Sequence, residues 1–324
     1  MGNTVVLAGG SGFIGTALAK SLTERGYHVV TLTRSARANP DFGEDVVWSA
    51  SPVGTDVNSP VGTDVNSPVG TDDSSPPWHS VIDGAAAVIN LTGRNVDCRH
   101  TPESLAVIRS SRVDSTKAIA QAIERAQTPP PVWVQGSAVG YYGDVRDYEC
   151  TVDSPPGTSA LGDITVEWEA CIPKDLPHTR TCVVRTGVVL GIGGGALDQL
   201  ARVTRLGLGG TVSDGGQYLS WIHLRDIVRI FEWCVDTESA DGIYNGVSPT
   251  PTINREFMRT LRKVLRRPWS PPAPAIAIKI GAWLMGTTAS LALESNRAVP
   301  SRLLEQGFQF EFTDLEATLR DLLL

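Results

Sequence analysis

The sequence predicts an α/β fold: a doubly wound parallel sheet followed by a smaller, mostly helical C-terminal lobe. Three observations carry that expectation. A short apolar run near the N-terminus ends in glycines and passes directly into an amphipathic helical pattern. Strand-like runs then alternate with helical stretches up to residue 190, the order that builds parallel sheets. From Gly191 onward, glycine clusters and long helical segments replace the alternation. Residues 1–190 are therefore expected to form the sheet domain and 191–324 the smaller lobe, with 243–246 returning to the sheet.

Thr4-Val5-Val6-Leu7-Ala8 reads as the first strand, and a helix runs on from Thr16-Ala17-Leu18. Between them Gly9, Gly12 and Gly15 fall at G-x-x-G-x-x-G spacing, with Ser11, Phe13 and Ile14 filling the loop. In a dinucleotide-binding unit the first glycine permits a tight turn and the second lets backbone approach a pyrophosphate. The third lets helix pack on strand. The helix N-terminus offers free N–H groups and partial positive charge to phosphates. This stretch is the candidate cofactor loop.

The next strand, Tyr27 to Arg34, ends in a basic tip. NAD-preferring sites place a carboxylate there to accept from the ribose 2′-hydroxyl, whereas an arginine accommodates a 2′-phosphate. Here Thr33 and Arg34 occupy the tip, Arg37 follows, and no carboxylate comes before Asp41. The expectation is NADP(H). Ser51-Pro52-Val53-Gly54-Thr55-Asp56-Val57-Asn58 then recurs unchanged at 59–66 and nearly so at 67–74, which reads as an expanded surface loop.

Ala85 to Gly93 forms the next strand, placing Leu91, Thr92 and Gly93 along the cofactor cleft. A helix follows from about Pro102 to Ala126, then a strand from Pro131 to Ser137, and another helix around Trp168-Glu169-Ala170. Thr181 to Leu190 reads as one strand closing this half. Beyond it, Tyr218 to His223 and Gly242 to Gly246 have strand signals, with a helix from Leu224 through Cys234 between them. Phe308-Gln309-Phe310-Glu311-Phe312 alternates like an edge strand.

Composition removes several function classes. A formal charge of −7 leaves no basic excess to displace counterions from nucleic acid. Five scattered cysteines without a C-x-x-C pair (Cys98, Cys150, Cys171, Cys182, Cys234) read as reduced thiols, not a disulfide framework or zinc site. No charged-then-apolar leader precedes Thr4. The most apolar late stretch, Ala273 to Met285, is short and carries Lys279, so no membrane span is expected. A soluble, cytoplasmic protein with a small-molecule substrate is the expectation. A homodimer is compatible with the sequence but not specified by it.

These motifs together resemble the extended, atypical short-chain dehydrogenase/reductases, specifically the NAD(P)-dependent epimerase-like family with its own helical C-terminal domain. The resemblance covers the chain apart from the repeat. Its carriers include Gly9 to Gly15, Asn90-Leu91-Thr92-Gly93, Ser111-Arg112-Val113, Ser137 to Gly143, Trp168-Glu169, Arg185 to Gly191, Gly193-Gly194-Gly195, Ser220-Trp221-Ile222-His223 with Asp226, and Val299-Pro300. The resemblance implies a Rossmann-like fold and NADP(H) binding, and it implies that Arg112 and Val189 lie near the cofactor. The C-terminal lobe would then face the substrate.

The broader superfamily moves protons with a Tyr-x-x-x-Lys pair and a Ser or Thr, the lysine lowering the tyrosine pKa. No tyrosine here has a lysine four positions later, and the expected places fall near Ala160 and Ile164. Ser137 remains as the strand-end hydroxyl, with the register open by one toward Ala138. Tyr141 and Tyr142 remain as proton donors, and Tyr142 with Arg146 makes a Tyr-x-x-x-Arg echo. His223 and Asp226 are expected to tie the lobes together, and Glu167 and Glu169 fall on different helix faces. No metal-ligand spacing is visible. The sequence therefore leads to an NADP(H)-binding oxidoreductase or epimerase. The alternatives are a non-catalytic NADP(H)-binding regulatory or interaction protein, or a non-redox isomerase or cyclase.

Overall fold

Val5, Val6, Leu7 and Ala8 are all buried, so β1 (Thr4–Ala8) is covered on both faces, as a central parallel strand must be. The computed structural model describes residues 2–37, 40–50, 77–274, 288 and 293–324. The repeat at 51–74 and most of the apolar stretch 273–285 lie outside the described residues.

On either side of β1 lie β2 (His28–Thr33) and β4 (Ala87–Asn90), with β3 (Glu44–Val47) beyond β2. Next to β4 come β5 (Val132–Ala138), β6 (Arg180–Thr186) and β10 (Gly242–Gly246). All seven strands of this sheet are parallel, in the order β10-β6-β5-β4-β1-β2-β3. The fold is a Rossmann-like α/β sheet. The edge strand β3 has no forerunner in the sequence reading, because its four residues are exposed or half-buried and two of them are charged.

Side chains alternate across the sheet with period two. Val5 and Leu7 join the layer of α1 (Phe13–Glu24) and α5 (Leu224–Asp236). Val6 and Ala8 join the opposite layer, with Ile119 and Ile123 of α2 (Pro102–Arg125). The helix α3 (Ala160–Ala170) packs beside α2, tied by the Trp168 indole N–H, which donates to Thr116 at 2.8 Å. Pro102 at the first turn and a reciprocal Thr101–Ser104 capping box start α2 where the sequence places it.

The run Thr181–Leu190 is not one strand. It breaks at Gly187, and β7 (Val188–Leu190) leaves the main sheet to pair with β9 (Trp221–His223). A side chain at Gly187 would come 2.4 Å from the Ser220 carbonyl, so glycine is what lets the chain cross there. Likewise Tyr218–His223 divides: β8 (Tyr218–Leu219) pairs antiparallel with β11 (Thr252–Ile253). A third apolar cluster gathers Leu197 of α4 (Ala196–Arg205), Phe257 and Leu261 of α6 (Asn254–Val264), and Leu319 of the C-terminal helix. That helix is α8 (Leu315–Leu323), and α7 (Ser301–Glu305) precedes it.

The segment Phe308–Phe312 forms no strand. Its amides serve another purpose: the N–H groups of Glu311 and Phe312 each donate to the fully buried Asp226 carboxylate at 2.9 Å. Arg229 donates to the same carboxylate at 2.9 Å. His223 caps α5, its Nδ1 accepting the Arg225 N–H at 2.9 Å. Its Nε2 faces Asp321 at 3.2 Å, and its ring stacks on Phe312 at 3.8 Å. This pair therefore fastens the chain's end to α5, a tie within residues 191–324 where the sequence reading expected one between the lobes.

Asp226→Ala strands two amides and should reduce the unfolding free energy by roughly 3 kcal/mol in urea titration. Burial pushes the His223 imidazole below its ordinary 6.5, against the upward pull of Asp321. The stabilisation linked to the neutral ring is present above about pH 6.5 and is lost as pH falls through the lower folded value. His223→Asn keeps a capping acceptor and should flatten that part of the acid slope in urea midpoints measured against pH.

Candidate functional site: the crevice between β1 and β4

From β1 the chain moves outward through α1 to β2, then returns to place β4 on the other flank of β1. Open α/β sheets bind ligands at such a reversal, outside the carboxyl ends of the strands. Here the two ends are in intimate contact. Gly9 adopts φ +83°, and a Cβ on it would lie 2.8 Å from the Leu91 carbonyl carbon and oxygen. A Cβ at Gly15 would lie 2.3 Å from the Gly9 carbonyl oxygen, so the start of α1 rests directly on the loop. Gly12 is exposed, its missing Cβ nearest Gly9 O at 3.3 Å, which leaves its outer side open.

The crevice fits an anionic dinucleotide on several counts. Gly12 caps α1 without any side-chain hydrogen bond, and the first turn holds no acidic residue. The amides of Phe13, Ile14 and Gly15 thus retain their affinity for a phosphate. Ser11 is exposed at the mouth. Across from it the Thr92 hydroxyl oxygen is buried without a hydrogen-bond partner, next to exposed Gly93. The Arg112 guanidinium packs flat against Gly93, 3.1–3.3 Å from where a Cβ would sit. It donates to the Arg94 and Ile108 carbonyls at 3.0 and 3.1 Å, with the Trp168 ring 5.2 Å away. No carboxylate pairs with it among the described residues, and burial lowers its pKa to about 10. Carbonyl oxygens leave a cation largely uncompensated, so an anion here would be strongly favoured.

Thr33 closes β2, its hydroxyl donating to the Ser35 carbonyl at 3.2 Å. Arg34 stands exposed beyond it, with no ion pair among the described residues. Arg37 is committed elsewhere: its guanidinium grips Asp45 at 2.8 and 2.9 Å, and its N–H donates to the same carboxylate at 2.9 Å. Val189 lies buried in β7, in the apolar cluster against which Phe13, Ile14 and Leu91 also pack. The glycine loop, Leu91 to Gly93, Arg112 and Val189 thus gather around one crevice, while Thr33 and Arg34 stand at the end of β2 on the other side of β1.

The proton-handling candidates do not converge in the same way. Ser137 is buried and donates to Glu169 Oε1 at 2.6 Å. Ala138, next in β5, faces the opposite side of the sheet. Glu169 also receives Arg185 Nε at 2.9 Å and a second guanidinium nitrogen at 2.7 Å. These bonds raise the pKa of the Arg185 guanidinium against the downward pull of burial, which is the largest single influence on it. The remaining nitrogen donates to the Tyr142 hydroxyl at 3.0 Å, which in turn donates to Asn245 at 2.7 Å. Burial raises the Tyr142 pKa, only partly offset by Arg185.

Arg146 does not complete the Tyr-x-x-x-Arg echo; it is exposed and faces Asp144 at 3.9 Å. The cation beside Tyr142 comes instead from Arg185, 43 residues on. Of the three candidate hydroxyls, those of Ser137, Tyr141 and Tyr142, only Tyr141's has no hydrogen-bond partner among the described residues, and its ring centre lies 3.4 Å from the Arg185 guanidinium carbon. Ala160 opens α3 at the surface, and Ile164 is buried. Neither can carry a proton.

Glu169 and Arg185 appear in the sequence only as family motif residues, with no role attached. A signal was present: Arg185 is a charge inside an otherwise apolar strand, and such a charge demands a partner. Glu167, by contrast, pairs outward with Arg109 at 2.9 Å. Among the described residues no cluster of His, Cys, Asp and Glu could hold a metal ion, and no helix is long and apolar enough to cross a membrane. All five cysteines are free; Cys150, Cys182 and Cys234 are buried and Cys98 and Cys171 partly so.

Comparison with known proteins agrees with this geometry. The NAD dependent epimerase/dehydratase family matches residues 5–245, and a domain of unknown function, DUF1731, matches residues 273–322. Epimerase family protein SDR39U1 of Bos taurus is 34% identical over 324 residues, covering 98% of this chain and 99% of the relative. A chloroplastic SDR39U1 homolog of Arabidopsis thaliana is 31% identical, covering 98% of this chain and 86% of its own. The crystal structure of human SDR39U1 (isoform 2) with NADPH superposes at a TM-score of 0.80, with 30% identity and 98% of both chains covered.

The Arg185–Glu169 pair lends itself to a double-mutant cycle. Arg185→Met strands a mostly buried carboxylate and should destabilise by about 3–5 kcal/mol in denaturant titration. Adding Glu169→Met should restore part of that loss by removing the stranded charge, the remainder being the cost of the Ser137 hydroxyl and Val152 carbonyl left without their partners.

Proposed function

The chain belongs to the NAD dependent epimerase/dehydratase family, and from that premise we propose that it is an NADP(H)-dependent oxidoreductase or epimerase acting on a small carbonyl or hydroxyl compound. The observation that carries this reading is the β1–β4 crevice, whose Gly9 turn touches the end of β4 and which is bordered by uncapped amides of α1, an orphaned Thr92 hydroxyl and an Arg112 without a carboxylate. Exposed Arg34, with no carboxylate at the tip of β2, supports a 2′-phosphate. The NADPH held by the human relative supports the same choice. When bound, the nicotinamide supplies hydride transfer.

The protein's own share is to bind, orient and handle a proton. Of Ser137, Tyr141 and Tyr142, the hydroxyls of Ser137 and Tyr142 already donate within the protein, to Glu169 and Asn245. Tyr141 is the proton-handling residue in this reading. A second reading, a non-catalytic NADP(H)-binding protein, draws on those same committed hydroxyls and on the apolar Ala160 and Ile164.

Fluorescence titration should show NADPH binding at least about tenfold more tightly than NADH, the share of one charge-assisted contact. Arg34→Ala should erase that difference without weakening NADH, and equal binding of both by the wild type would sink the 2′-phosphate assignment. NADPH consumption across a panel of aldehydes, ketones and keto sugars separates the two readings. Tyr141→Phe should lower any turnover found by roughly a hundredfold or more. Tight NADPH binding with no consumption across the panel would favour the second reading.

A further inference from the structure

Two helices of the C-terminal lobe end side by side and in the same way. At the end of α4 the Gly207 N–H donates to the Thr204 carbonyl at 3.0 Å and the Leu208 N–H to Val203 at 2.9 Å. At the end of α6 Arg266 donates to Lys263 at 3.1 Å and Arg267 to Arg262 at 2.8 Å. Each pair of bonds closes around one left-handed residue, Gly207 at φ +82° and Arg266 at φ +54°. In α4 that residue is the usual glycine; in α6 it is an arginine, kept where any side chain adds strain. The segments that follow run together. Val212 bridges to Ala273 in parallel, a Cβ on Gly210 would fall 1.8 Å from the Pro271 carbonyl oxygen, and Arg262 donates to the Gly209 carbonyl. Two residues earlier in each segment stand Leu208 and Trp269.

This corner leaves large apolar side chains in water. Leu206, Leu208 and Trp269 are 72%, 71% and 74% exposed. A hydrophobic residue at the place of Leu208 commonly packs back on its own helix, and here it does not. Around them Arg202, Arg205, Arg266 and Arg267 are exposed, without an ion pair among the described residues. Neither 199–213 nor 257–273 contains an Asp or a Glu, in a chain whose net charge is −7. The last turn of α4 gives Arg202 and Arg205 a helix dipole to complement. Arg266 and Arg267 lie past the end of α6 and have no such duty.

We propose that this corner, formed by residues 205–208 and 266–269, docks the protein on an anionic phospholipid surface. The proposal is independent of the dinucleotide reading. Free arginines meet the negative headgroups, while the indole and the two leucines leave water for the boundary between headgroups and acyl chains. Charge complementarity selects an anionic surface, and the apolar side chains select a lipid one. A soluble polyanion would engage the arginines but leave the leucines in water. Pro268, Pro271 and Pro272 hold φ fixed beside Trp269, so little backbone freedom is lost on docking.

Co-sedimentation of the full chain with vesicles tests this. Wild type should pellet with phosphatidylcholine vesicles carrying about 30% phosphatidylserine, and not with phosphatidylcholine alone. It should be released in about 1 M salt, where charges are screened beyond about 3 Å. Arg266→Gly with Arg267→Ala should lower the partition coefficient about ten- to thirtyfold, the share of two surface cations. Arg266→Gly also puts the usual residue at the left-handed position, so the urea midpoint should rise while vesicle binding falls. Trp269→Ser should lower partitioning about tenfold with the salt dependence kept, the share of one large apolar side chain. No pelleting of the wild type with the anionic vesicles would overturn the proposal, and so would pelleting that both sets of substitutions leave unchanged. Binding to duplex DNA as tight as to vesicles, and indifferent to Trp269→Ser, would overturn the lipid surface in favour of a soluble polyanion.

Discussion

The contact between Gly9 and the end of β4 constrains nearly everything around the crevice. With a Cβ there set 2.8 Å from the Leu91 carbonyl, no side chain can be accommodated without parting the two central strands. Because the contact is made by bare backbone, the loop turns tightly enough to aim the first amides of α1 into the gap at the switch point. Gly15 then allows α1 to lie against the same loop, which fixes the helix direction. Thr92, whose amide lies beside Gly9, and Arg112, packed on Gly93, are both placed by this junction.

Buried charge is treated in three ways within one molecule. Arg185 and Glu169 neutralise each other with two parallel bonds, and the spare valences of the pair go to Ser137, Tyr142 and Val152. Asp226 is held by two amides and one arginine, so a single carboxylate takes the place of a strand partner for the end of the chain. Arg112 receives only carbonyl oxygens. The first two arrangements are closed and serve the architecture. The third is open, and it is the one that borders the crevice. Arg180, at the start of β6, is likewise held by the carbonyl oxygens of Cys234, Val235 and Ala240; it is the place of Arg112 beside Gly93 that supports the proposed meeting with a ligand.

The Ser137–Glu169–Arg185–Tyr142 network also changes how the proton-transfer problem is posed. Two of the three hydroxyls that the sequence offers for catalysis are already donors inside the protein, and an arginine fills the space that links them. The third, that of Tyr141, belongs to a ring that lies against the same arginine, and the proposed function gives it the proton.

Local chemistry made much of this protein legible in its residues alone. Apolar runs, helix caps and glycine spacing are short-range signals, so the parallel sheet, the cofactor loop and the exposed arginine at the tip of β2 could all be read from the chain. The edge strand β3, the break at Gly187 and the non-strand at Phe308–Phe312 could not, because each depends on a partner far away in sequence. Alternating phenylalanines look like a strand until Asp226, more than 80 residues earlier, takes their amides. The same holds for the site. The sequence by itself offered the candidate groups for a dinucleotide, because the loop of seven residues, Gly9 to Gly15, is a local pattern. Only the tertiary structure decided which hydroxyls are spent and which cations are unpaired. Those are properties of pairs of residues, and distance between pairs is not written in a chain until it folds.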